Sequence, residues 1–70
     1  MQRTDIMAAI FMERYRQNIL HPWSKHTPRL AILVEEIGEI GTALQHADSE
    51  NLKEELTQLA ALCVRWLEEL

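Results

Sequence analysis

Loop-like sequence is confined to one stretch and one short link, and this constrains the fold more than any other feature of the chain. The stretch is His21-Pro-Trp-Ser-Lys-His-Thr27, and the link lies close to Asp48. Elsewhere the apolar residues recur at helical spacing, with no strand-like alternation, no repeat and no low-complexity segment. The pattern predicts three helices. The first runs from Thr4 to Ile19, with Thr4 as N-cap and Asp5 in the first turn. The second starts at Pro28 behind Thr27 as N-cap and ends near His46. Asp48 or Ser49 caps the third, which reaches Glu69. A short link predicts that the second and third helices pack as an antiparallel hairpin. The expected class is therefore all-α, a single domain over residues 1–70.

Size adds a second constraint. A core of about 70 residues rarely supplies more than about 3–5 kcal/mol without a staple. The one cysteine, Cys63, excludes a disulfide framework and a cysteine-based zinc site. Oligomerisation is the remaining common route, so a homodimer or homotetramer is expected to complete a helical bundle. Face assignment points the same way. Leu30, Leu33, Val34, Ile37, Ile40 and Leu44 share one face of the second helix, and Leu52, Leu56, Leu59, Cys63, Trp66, Leu67 and Leu70 share one of the third. These stripes are expected to form the hairpin core, with Cys63 as a small buried hydrophobe. The first helix carries Ile6, Met7, Ile10, Phe11, Met12 and Tyr15 around much of its circumference, more than one hairpin can cover. Gly38 and Gly41, inside the second helix, each cost about 1 kcal/mol relative to alanine and imply close approach of another helix.

Several classes fall away. No apolar run approaches the roughly 20 residues of a membrane span, and no secretory leader pattern is present, so a cytoplasmic protein without a membrane partner is expected. Gly-rich phosphate loops and nucleophile motifs are absent, and His21, His26 and His46 lack paired zinc spacing. The net charge of −4 is unevenly spread. Arg3, Arg14, Arg16, Lys25 and Arg29 make the first half basic, while nine of the eleven acidic residues lie from Glu35 onward.

Those acidic residues form a pattern. Glu36 and Glu39 are three apart and share a face; Glu55 and Gln58 repeat the spacing on the third helix. Ile32, Glu36, Glu39 and Ala43 form a line beside the main stripe, matched by Glu55, Gln58 and Leu62. Glu35 and Glu54 point farther out, towards Ala31 and towards Ala61 and Arg65. Carboxylates converging from two helices repel, and a divalent cation relieves the repulsion. Oxygen ligands without thiolate or paired imidazole favour Mg²⁺, with Mn²⁺ as the alternative. The competing reading is a solvated acidic face on a helical interaction module. In the loop, Trp23 either stacks on a nucleobase or closes the core between the first two helices, and Lys25 is a candidate phosphate contact.

Leu33-Val-Glu-Glu-Ile-Gly-Glu-Ile40 and Leu52-Lys-Glu-Glu-Leu-Thr-Gln-Leu-Ala-Ala-Leu-Cys-Val-Arg-Trp-Leu67 together resemble the MazG-like branch of the all-α nucleoside triphosphate pyrophosphohydrolases. That family carries an EExxE motif, a spacer and then ExxD. Glu35, Glu36 and Glu39 match the first motif, and Glu55 opens the second after an intervening 40–54. The resemblance spans residues 28–70 and departs at Gln58, where the family has aspartate. It implies Mg²⁺-dependent cleavage of an NTP or dNTP to the monophosphate and pyrophosphate, with no polymeric nucleic acid as partner. It also implies metal ligation by Glu36, Glu39, Glu55 and Gln58, with Glu35 as an outer ligand or water-orienting group. Glu35, Glu36, Glu39 and Glu55 are thus the expected catalytic set, and Trp23, Lys25 and Arg29 the expected substrate contacts. Gln58 leaves a second possibility, a homologue that binds nucleotide or metal with weakened catalysis.

Overall fold

Three α-helices and no strand make up the computed structural model, which describes residues 1–70: α1 (Arg3–Leu20), α2 (Arg29–Gln45) and α3 (Ser49–Glu68). No helix is long and apolar enough to cross a membrane.

The helix ends show which capping signals act. Asp48 caps α3 as expected, its Oδ1 accepting from the Asn51 amide at 3.1 Å. The other two caps are corrected. Thr4 lies within the first turn of α1, and Gln2 precedes the helix without a side-chain cap. Thr27 does not cap α2; its hydroxyl accepts from the Ser24 amide at 2.8 Å, and the Ser24 hydroxyl accepts from the His26 amide at 3.2 Å. This small turn uses the acceptor that would have capped α2, so α2 begins at Arg29 behind Pro28.

The α2–α3 link closes by two reverse hydrogen bonds, Asp48 N–H to Ala43 O at 3.0 Å and Ala47 N–H to Leu44 O at 3.2 Å. This is the Schellman pattern, and it needs a left-handed residue at Ala47, where φ is 52°. A Cβ in that region costs roughly 1–2 kcal/mol. Ala47→Gly is therefore expected to stabilise the chain by about 1 kcal/mol in denaturant unfolding. A destabilised variant would show that the link is not held in this conformation.

α3 is the central element. It packs against both α1 and α2, which do not pack against one another. Gln17 on α1 donates from Nε2 to the Gln58 carbonyl of α3 at 3.0 Å. Arg14 pairs with Glu68 at 2.6 Å, and Arg29 forks onto Glu69 at 2.6 and 2.8 Å. The buried residues are Ala43, Ala61 and Leu62 with the polar Gln17, Glu55 and Arg65.

This core differs from the expected one. Leu30, Val34, Ile37 and Leu44 of α2 are exposed, as are Leu56, Leu67 and Leu70 near or on α3. Leu33, Ile40, Leu52, Leu59, Cys63 and Trp66 are only half-buried. Both inner faces are turned by roughly a quarter-turn from the predicted stripes, at about 100° per residue. The inner face of α2 instead follows Ile32, Glu36 and Ala43, and that of α3 follows Glu55, Leu62 and Arg65. Ala61 and Arg65, expected to point outward with Glu54, are buried. The physical reason is that α2 meets only one neighbour, so only one narrow face of it is covered. The expected close helix at the glycines is not supplied within the chain: a Cβ at Gly38 or Gly41 would meet nothing within 4 Å.

Candidate metal centre and its cleft

Helical spacing places Glu36 and Glu39 one turn apart on α2, and α3 brings Glu55 across from them. One carboxylate oxygen from each lies within 4.8 Å of the others. Glu55 is 9% exposed, Glu36 is half-buried and Glu39 is open to solvent. Buried oxygens Oε2 of Glu36 and Oε2 of Glu55 have no hydrogen-bond partner. Two of the three clustered glutamates thus carry a buried oxygen whose hydrogen-bonding capacity is unmet within the chain.

Electrostatics describe the same conflict. All three carboxyls are held above their ordinary value of 4.5. For Glu36 burial is the main cause, opposed by hydrogen bonding with Glu55 and reinforced by the charges of Glu39 and Glu13. For Glu39 hydrogen bonding with Glu55 dominates, followed by burial and the Glu55 charge. For Glu55 burial again leads, with Glu39 lowering and Glu36 raising. A hard divalent cation fits this set, because its charge reverses every one of these shifts and its coordination occupies the orphaned oxygens.

A cleft of about 440 Å³ opens beside the triad, with Glu35, Gln58, Trp23, Arg16 and Arg65 also on its walls. Of the residues expected from the sequence, Glu35, Glu36, Glu39, Gln58 and Trp23 meet here with Glu55 immediately adjacent. Lys25 and Arg29 do not line the cleft. Lys25 is exposed in the loop, and Arg29 is committed to Glu69 and to the Thr27 carbonyl. Trp23 is half-buried, with the Arg65 and Arg29 guanidinium carbons 4.2 and 5.0 Å from its ring centroids. Sequence reasoning missed Arg65 and Gln17. Arg65 was within reach: extending the Glu55–Gln58–Leu62 line by three residues arrives at it. Gln17 had no such signal.

No protein-family model matches the chain, and no curated protein or solved structure matches it.

The raised carboxyls make metal-free stability fall with pH. A folded pKa above the unfolded value means the folded state holds more protons between the two. The triad's contribution is therefore fully present below about pH 4.5 and is lost as pH rises through the raised values. Glu69 acts oppositely, since its hydrogen bonds from Arg29 hold it low and its contribution is lost on acidification. In EDTA, thermal unfolding of the wild type is expected to occur at lower temperature as pH rises above about 4.5 through the raised carboxyl values. Glu55→Gln should flatten that decline. An unchanged slope in the variant would remove the triad as its source.

Proposed function

We propose that this chain is a Mg²⁺-dependent nucleoside triphosphate pyrophosphohydrolase of the MazG-like type, converting an NTP or dNTP to the monophosphate and pyrophosphate in the cytoplasm. The observation that carries the reading is the convergence of Glu36, Glu39 and Glu55, with two buried oxygens unpaired, at the edge of a cleft that also holds cations. Glu36, Glu39 and Glu55 would hold the metal, and the Gln58 amide oxygen is the fourth candidate ligand. When bound, Mg²⁺ supplies charge neutralisation of the phosphate oxygens and acidifies water. Glu35 stands on the cleft wall, exposed and outside the triad; in the proposed reaction it would orient the attacking water and accept its proton. Water adds to phosphorus, the bond between the α and β phosphates breaks, and pyrophosphate leaves with its electron pair. Cations on the cleft wall stabilise the charge that accumulates on that leaving group.

The same reading takes α2 and α3 as an antiparallel hairpin that a second copy completes into a bundle, covering the exposed apolar row of α2. Gln58 favours one variation. A neutral amide in place of a carboxylate weakens cation affinity, and a chain that binds nucleotide with slow turnover follows. Gln58→Asp is expected to tighten Mg²⁺ binding about tenfold or more in calorimetry. Unchanged affinity would place residue 58 outside the coordination sphere.

The test of function is product identity from a panel of NTPs and dNTPs with Mg²⁺, Mn²⁺ or EDTA. Metal-dependent release of pyrophosphate with monophosphate supports the proposal. Orthophosphate with diphosphate would assign a different bond, and no release from any substrate would leave only binding.

A further inference from the structure

Arg65 is not explained by the metal centre. Its side chain is buried, with the residue only 4% exposed. Nη2 donates to the His21 carbonyl at 2.9 Å, and the guanidinium lies over the Trp23 ring at 4.2 Å. Buried Nη1 has no partner. The two acidic groups whose charge acts on it are already engaged, Glu68 by Arg14 and Glu69 by Arg29. Arg14 and Arg29 themselves add positive charge beside it. A buried guanidinium with no carboxylate partner and an open donor is normally completed by an anion. Arg65 lines the cleft that the acidic triad borders.

We propose that Arg65, its plane held against Trp23, binds the phosphate oxygens of the substrate within the cleft through the free Nη1. The substrate class rests on the pyrophosphohydrolase reading; the anion site itself does not require it. Arg65, Glu36 and Glu39 line the same cleft, so a polyphosphate bound there would meet the guanidinium as well as the acidic residues. The anion site also changes the role of Trp23. Its ring is covered by Arg65 and Arg29, so it is a positioning residue for the guanidinium and not a platform for a nucleobase.

Inorganic pyrophosphate in EDTA is the probe, because metal then plays no part. With arginine ¹⁵N labelling of the whole chain, the Arg65 guanidinium resonance, assigned by its loss in Arg65→Lys, should shift saturably during the titration. Calorimetry should show pyrophosphate affinity reduced about tenfold or more in Arg65→Lys and lost in Arg65→Leu. Mg²⁺ binding measured alone should be retained in Arg65→Lys. Where Arg65→Leu does not fold, the wild-type resonance and the lysine variant still decide. No pyrophosphate binding by the wild type, or binding with the Arg65 resonance unmoved, overturns the proposal. Absence of Mg²⁺ binding together with intact pyrophosphate binding would overturn the metal reading and leave this one standing.

Discussion

On the proposed activity, Glu36→Gln and Glu39→Gln are each expected to lose about a thousandfold or more of metal-dependent pyrophosphate release, while unfolding in EDTA at a temperature equal to or above that of the wild type. The size of the loss follows from removing one charged ligand from a site whose proposed catalysis is mainly electrostatic. The stability change has the opposite sign for a local reason. Each glutamine removes one of three converging negative charges whose folded-state carboxyls are already pushed towards protonation. Helix content should be unchanged, because glutamine and glutamate have similar helix propensity. The two readouts together separate the proposal from simple damage: a misfolded variant loses activity and melting temperature together. Full turnover in either variant would remove that residue from the site, and a large drop in melting temperature would mean that the carboxylate has a structural partner.

On the proposed assembly with a second copy, Ile37→Asp is expected to prevent association and to lower thermal stability sharply. Ile37 is 55% exposed, in a row with Leu30, Val34 and Leu44, while the buried apolar residues are two alanines and Leu62. So little buried apolar surface is a poor basis for a stable monomer. Burying an isoleucine contributes about 1.5–3 kcal/mol, and a two-fold interface loses it twice. Gly41 lies in the same row, between Ile37 and Leu44. Within one chain nothing opposes a methyl there, so Gly41→Ala should stabilise a monomer by about 1 kcal/mol. If a partner helix approaches at that point, the same substitution weakens assembly instead. Sedimentation of both variants reads the difference. A wild type that is monomeric at all concentrations would overturn the assembly.

Much of the architecture was legible because helix punctuation is local. Asp48 and the 21–27 segment mark their boundaries by side-chain chemistry alone, and the three helices follow. Their rotation was not legible. Periodicity shows that Leu30, Val34, Ile37 and Leu44 form a face, but not which neighbour that face meets. Here α3 lies between α1 and α2 and covers the adjacent face, carrying Glu36 inward and Ile37 outward. That turn also explains why the acidic line, placed beside the core in the sequence, is part of it in the structure. The triad was readable from i,i+3 spacing on two helices. The placement of Arg29 was not, because it depends on a distant partner: its guanidinium is drawn to Glu69, forty residues away.

The central claim is that Glu36, Glu39 and Glu55 are built around a divalent cation. Calorimetric titration of the wild type with Mg²⁺, repeated in two buffers of different ionisation enthalpy, tests it most directly. Saturable binding is expected, with net proton release that grows as pH falls towards the ordinary carboxyl value of 4.5, because the cation displaces protons from carboxyls held above that value. Both effects should be abolished in Glu55→Gln. Absence of saturable heat in the wild type, or identical binding in Glu55→Gln, would contradict it.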